Sequence, residues 1–203
     1  MVNYIYVVFI VLLMSCSRRP SVSLEEIATI PSDTLVSDFT ESYYKFEPEI
    51  KIIEEKMGLP SLDKGFNGFQ LRLTAALEEG GMGCVVLTSQ NNSWTGKYWK
   101  VHYLLNWEQD SILSFEGVGK AIKPESGWPY LSRKLVEFDV LHLTDLNGGG
   151  ETSRQLKVNI EIASKTQHRY YSMSEPDDHP DYPDAVKLTN IVQLFKREFN
   201  IEL

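Results

Sequence analysis

The sequence predicts an α+β fold: a mostly antiparallel sheet, made of a meander of four strands plus a later hairpin, packed by three helices. Three observations predict it. Phe69-Gln70-Leu71-Arg72-Leu73-Thr74-Ala75 alternates apolar and polar residues, the period-two signature of a half-buried strand. Further apolar runs follow at short intervals, separated by Gly-, Asn- and Asp-rich turns, as in a meander. Three other segments carry apolar residues at i, i+3 and i+7 or similar spacings, which places them on one helical face.

The first helix is expected from about Phe46 to Lys56. Pro48 fits a first turn, where its missing N–H costs nothing, and Glu47 and Glu49 suit the positive end of the helix dipole. Ile50, Ile53 and Met57 form its apolar stripe, and Gly58 and Pro60 stop it. After the Phe69–Ala75 strand, Glu78-Glu79-Gly80-Gly81 turns into an apolar strand, Cys84–Leu87. Gln90-Asn91-Asn92-Ser93 reads as a hairpin turn. The third strand runs from Trp94 to about Leu105, with Trp99, Val101, Tyr103 and Leu105 on one face and Tyr98, Lys100 and His102 on the other. Asn106–Asp110 turns into the fourth, Ile112–Val118.

Pro124-Glu125-Ser126-Gly127-Trp128 then opens a helix, with Ser126 as the expected N-cap and Trp128, Leu131, Leu135 and Phe138 toward a core. Gly148-Gly149-Gly150 reads as a loop. Leu156, Val158, Ile160 and Ile162 alternate with polar partners as a strand, and Arg169–Met173 makes its hairpin partner. The last helix is expected from about Asp184, its cap, to Phe199, with Leu188, Ile191, Val192, Phe195 and Phe199 as its stripe. All the helices are expected on one face of the sheet.

Composition bounds the function. The chain has 203 residues, 42% hydrophobic and 24% charged, which suits one folded domain better than two or a disordered chain. Its 20 Lys and Arg against 28 Asp and Glu leave a formal charge of −8, a poor match to a phosphate backbone, so nucleic-acid binding is not expected. Two cysteines support neither a disulfide scaffold nor a four-cysteine zinc site. Cys84 lies in an apolar run and reads as a small core residue.

Residues 2–14, VNYIYVVFIVLLM, carry no charge and have the length of a signal-peptide apolar region, short of the ~20 residues a helical span needs. The stretch ends in Leu13-Met14-Ser15-Cys16. This resembles a bacterial lipobox: an aliphatic residue, a variable one, a small one, then cysteine. The resemblance implies cleavage before Cys16 and lipidation of its sulfur, with acyl chains of the palmitate type anchoring the protein to a membrane. Ser17, with no acidic residue directly after Cys16, resembles the pattern sent to the outer membrane, on its periplasmic side. An uncleaved anchor or a buried strand are the alternatives for the same stretch. The division is then residues 1–15 as signal peptide, 16–42 as lipidated cysteine and tether, and 43–203 as a single α+β domain.

A second resemblance lies in Gly58-Leu-Pro-Ser-Leu-Asp-Lys-Gly-Phe-Asn-Gly-Phe-Gln-Leu-Arg-Leu73. A helix, a Leu-Pro-x-Leu-x-x-Gly turn and a strand with an Arg-aliphatic pair resemble uncharacterised bacterial envelope lipoproteins. Trp94, and Trp128 with Leu131 and Leu135, fit the same type. The resemblance implies an envelope location and carries over no catalytic residue.

Chemistry is sparse. The four histidines, His102, His142, His168 and His179, form no His-x-x-x-His or His-Glu-x-x-His pair. The densest polar cluster runs from Glu175 to Asp184. Its Asp177, Asp178, His179 and Asp181 are the one weak candidate for a cation, against a solvated acidic loop. No Gly-x-Ser-x-Gly elbow exists, and the glycine runs precede a strand or an acid rather than a helix N-terminus. No cofactor is expected. A candidate binding face remains: Arg72, Tyr98, Lys100 and His102, with the aromatic suited to a glycan or a protein partner, against plain cross-strand pairing.

The leading expectation is a membrane-tethered envelope lipoprotein acting as a non-catalytic binding or accessory module for an envelope protein or glycan. The rivals are a small envelope hydrolase, whose acids and His102 would converge with Arg72 in one pocket, and an immunity or inhibitor-type lipoprotein that binds a toxin.

Overall fold

A computed structural model describes residues 48–91, 93–106, 111–143, 157–165 and 167–203. The expected signal peptide, Cys16 and the tether lie outside the described residues, as do Trp107, Gly148–Gly150 and Leu156. In chain order the elements are helix α1 (Pro48–Lys56), strands β1 (Phe69–Ala76), β2 (Met82–Gln90), β3 (Ser93–Asn106) and β4 (Ser111–Ile122), helix α2 (Trp128–Glu137), strands β5 (Lys157–Ser164) and β6 (His168–Ser174), and helix α3 (Pro183–Phe199). Short 3-10 turns, Val140–His142 and Pro176–Asp178, follow α2 and β6.

The six strands form one sheet in the order β4-β3-β2-β1-β5-β6, and every neighbouring pair is antiparallel. The fold is α+β, as the alternation and the helical stripes predict. Tight turns make the meander. Gln90 pairs with Ser93 across the β2–β3 turn, and Asn91 takes φ 51°, a left-handed value that asparagine tolerates. Gly81, in the β1–β2 turn, has φ 93°, and a Cβ there would stand 2.2 Å from the Val101 carbonyl oxygen. Only glycine fits that approach.

The main core lies between one sheet face and helices α2 and α3. Phe69, Leu71 and Leu73 of β1 meet Val85 and Leu87 of β2, Ile160 and Ile162 of β5, Leu131 and Leu135 of α2, and Leu188, Ile191 and Phe195 of α3. Helix α1 lies on the other face. Its Ile53 packs with Met82, Cys84, Val86, Trp99 and Val101, the opposite alternation set of β2 and β3. The expectation of helices on one face is therefore corrected: β2 and β3 carry apolar residues at both alternation sets, and α1 covers the set that α2 and α3 leave open, closing a smaller core.

Two caps also differ. Gly127, at φ 82°, is the N-cap of α2 and gives no side-chain bond. Ser126 instead donates its backbone N–H to Glu198 Oε2 at 2.9 Å and its hydroxyl to Oε1 at 3.3 Å. The buried Glu198 of α3 thus ties the two helices together. Tyr182 is the N-cap of α3 and Pro183 its first residue, so Asp184 sits inside the first turn and pairs with Lys187 at 2.8 Å.

Candidate functional site

The strand that alternates most cleanly is buried on both faces. In β1, Gln70, Arg72 and Thr74 are as enclosed as the apolar residues between them. Arg72 is 1% exposed and anchors a charged cluster on the α1 face. Its Nη1 lies 2.8 Å from Glu54 Oε1 of α1 and 3.3 Å from Glu161 Oε2 of β5. Its Nε donates to Gln70 Oε1 at 2.9 Å, and Nη2 donates to the Pro60 carbonyl. His168 Nε2 of β6 stands 2.8 Å from Glu161 Oε1. Antiparallel pairing explains the meeting: Arg72 is directly opposite Glu161, one strand over.

Two carboxylates share one guanidinium in a dry setting. Burial first, then the neighbouring Glu161, raises the Glu54 carboxyl from 4.5 to about 7, while Arg72 pulls it down. The free thiol of Cys84 is fully buried nearby, and burial, with Glu54 second, pushes it well above its ordinary range. A thiol held protonated is no nucleophile, and Cys84 packs as the small core residue its sequence context suggests. The same band continues outward: Tyr170 donates to Asn159 Oδ1 at 2.7 Å, and Asn159 Nδ2 donates to Thr74 Oγ1 at 3.2 Å.

The residues singled out from sequence as one binding face do not share a face. Tyr98 belongs to the main core at 5% exposure and donates its hydroxyl to the Glu202 carbonyl at 2.8 Å. Arg72 points to the opposite side of the sheet, since it pairs with Val86 of the α1-side cluster. Lys100 and His102 do follow Tyr98 on its face. Lys100 bonds Glu202 at 2.7 Å and Glu79 at 3.3 Å, and His102 is exposed beside the Gly81 turn. An aromatic platform is thus replaced by a buried tyrosine flanked by charge.

Exposed apolar surface is found instead farther along the same two strands. Leu104, Leu113 and Val118 are 63%, 67% and 77% exposed. Register puts Val118 opposite Lys100, Glu116 opposite His102, and Ser114 opposite Leu104. Leu104 and Val118 therefore share the face that carries His102, beyond the reach of α2 and α3. A register shift falls between Leu104 and Leu105, next to Leu113. The β3–β4 hairpin carries the largest collection of exposed aliphatics among the described residues, with Tyr182 and Val186 the remaining two on α3 and its entrance.

The acidic loop is open to solvent. Asp177, Asp178, His179 and Asp181 are all exposed, Asp177 is taken by the Thr189 hydroxyl at 2.6 Å, and the His179 ring stands edge-on to Tyr182. Among the described residues no three His, Cys, Asp or Glu side chains are placed to hold a metal ion. Glu175, Asp177 and Asp178 border a cleft of about 300 Å³ together with Ala75, Val192 and Lys196. Neither Arg72 nor His102 lines it, so the convergence that the hydrolase reading needs is not found there.

Sequence reasoning missed Glu54, Glu161 and His168. One signal was present. Glu54 occupies the i+4 place in the stripe Ile50, Ile53, Met57, where a charge needs a buried partner. No helix among the described residues is long and apolar enough to cross a membrane. Comparison with known protein families and with curated proteins finds no match to this chain, so the site is read from its own geometry.

Proposed function

We propose that the protein is a bacterial envelope lipoprotein, anchored through lipid on Cys16 at the periplasmic side of the outer membrane. Its folded domain acts as a non-catalytic binding or accessory module. The contact surface in this reading is the β3–β4 hairpin. One observation carries it: among the described residues, three of the five large exposed hydrophobics, Leu104, Leu113 and Val118, lie on that one hairpin. Clustered apolar exposure marks interaction sites, whereas single exposed residues are ordinary. The surface is aliphatic, with Tyr98 withdrawn into the core, which favours a protein partner over a glycan, since sugars stack on aromatic faces.

The anchor and the surface are tested separately. Metabolic labelling with a fatty acid is expected to mark the wild type and not Cys16→Ser; equal labelling would remove the anchor from the proposal. A photo-crosslinking residue at Leu104 in intact cells is expected to give one discrete protein adduct, and the same residue at the exposed Lys165, in the β5–β6 turn at the other end of the sheet, none. No adduct at Leu104, or the same adduct from both positions, would overturn the binding reading.

A further inference from the structure

We infer that the partner of the β3–β4 hairpin is a second copy of this chain, paired antiparallel along β4 about a two-fold axis through Val118. The inference rests on the binding reading above and names its occupant.

Among the described residues, strand β4 is an edge of the sheet, hydrogen-bonded to β3 on one side and to no strand on the other. An open edge presents a row of backbone donors and acceptors that another strand can take up. Proteins blunt such edges with proline, with charged side chains, with bulges, or with very short strands. Strand β4 runs for 12 residues, SILSFEGVGKAI, without proline; its bulge is confined to the turn end at Leu113, and its two charges, Glu116 and Lys120, are of opposite sign and can pair across an antiparallel contact.

Two independent features choose the same register. The first is geometric. The register shift at Leu104/Leu105 breaks the ladder near the start of β4, leaving Ser114–Ile122 regularly paired with Gly96–Leu104. Maximal overlap of two such regular stretches, run antiparallel, centres on their midpoint, Val118. The second is chemical. Centring on Val118 sets Glu116 of one copy opposite Lys120 of the other, twice over by symmetry. Opposite charges facing across a strand pair stabilise it, and like charges destabilise it. A shift by two residues in either direction loses both pairs.

The side chains fit that register on both faces. On the His102 face, Val118 meets its own counterpart, covering the most exposed aliphatic residue among those described. On the α1 face, Gly117 meets Gly119 and Phe115 meets Ala121, so no two large residues oppose each other. Gly119 is already committed to closeness: a Cβ there would lie 2.6 Å from Trp99 Nε1, so the indole covers it and no side chain stands in the way of a neighbour. The product is one continuous sheet with the α2–α3 layers of both copies on the same side. Such an isologous contact closes on itself and leaves no growing edge at β4. Anchoring both copies on one membrane would raise their effective concentration for it.

The test uses the full chain in detergent, by sedimentation velocity, with a charge-swap set at two exposed positions. Wild type is expected to be dimeric. Glu116→Lys and Lys120→Glu each set like charges face to face twice, and each is expected to weaken association at least tenfold. The double swap, and an equimolar mixture of the two single swaps, are expected to restore it. Disulfide trapping checks the register without relying on those variants: Val118→Cys is expected to give an oxidised dimer, and Ser114→Cys, set opposite Ile122, none. A monomeric wild type, a dimer indifferent to the single swaps, no restoration, or trapping from position 114 would each overturn the inference. If the wild type is monomeric while the Leu104 crosslink captures a different protein, this inference falls and the binding reading stands. If no crosslink forms either, both fall.

Discussion

The two ends of the sheet carry similar sequence patterns and opposite environments. At the β1–β5–β6 end both faces are closed, and Arg72, Glu54, Glu161 and His168 sit inside as a mutually satisfied cluster. At the β3–β4 end Leu104, Leu113 and Val118 stand in solvent, and the charges Glu116 and Lys120 stand beside them. Alternation alone does not say which face is wet. Polar residues lie inside at one end and aliphatics outside at the other, so each end departs from the simple pattern. Buried charge needs a fixed partner, which ties α1 and β5 to one position on β1; exposed aliphatics need a partner from elsewhere.

The largest effect is expected at Arg72. Removing the guanidinium leaves Glu54 and Glu161 facing each other in a dry site, and breaking a buried ion pair from one side costs about 3–5 kcal/mol. Arg72→Ala should therefore lower the unfolding free energy measured in urea by that amount, through an earlier midpoint with the slope unchanged. A loss below about 1 kcal/mol, the range of exposed ion pairs, would mean that the cluster is wet and the two ends are alike.

Much of the fold was legible, and the reasons are local. Period-two runs at 69–75 and 158–162 and the 3.6-period stripe of α3 mark their elements because burial of one face demands them. The partnership of Arg72 with Glu54 and Glu161 was not legible. It depends on β1 pairing with β5 rather than β4, and on α1 crossing to the second face, both set by contacts far apart in sequence. Tyr98 shows the same limit. Its strand face was assigned correctly, together with Lys100 and His102, but which face the helices cover is decided elsewhere in the chain. Ser126 was read as a cap from its spacing, and Glu198, some 72 positions away, takes its bonds.

A second prediction concerns proton uptake at the closed end. The Glu54 carboxyl is raised from 4.5 to about 7, so the folded state binds its proton more tightly than the unfolded chain. Its contribution to stability is full below about pH 4.5 and is lost as pH rises through about 7. Arg72, Glu161 and Cys84 face it from β1, β5 and β2, and His168 of β6 bonds Glu161 behind it. From one such shift the loss is on the order of 3 kcal/mol. Glu54→Gln, which keeps an acceptor for Arg72 and cannot ionise, should flatten the fall between pH 5 and 8 in thermal unfolding. A fall of the same depth in the variant would move the titration to another group.

The smallest effect is expected at the open end, and it is informative because it is small. Val118→Thr keeps the β-branched shape that strands favour and removes apolar surface from a residue already 77% exposed. A surface substitution of this kind changes unfolding free energy by no more than about 0.5 kcal/mol. The isolated fold should not register it, while a contact centred on Val118 should weaken. The same Val→Thr exchange at Val85, fully buried in the main core, places a hydroxyl among hydrocarbon and should cost several times more. If Val118→Thr costs as much as Val85→Thr in dilute protein, something within the chain already covers Val118, and the contrast between a closed and an open end of the sheet does not hold. If it leaves unfolding unchanged and lowers association, that exposed valine serves a surface outside its own fold.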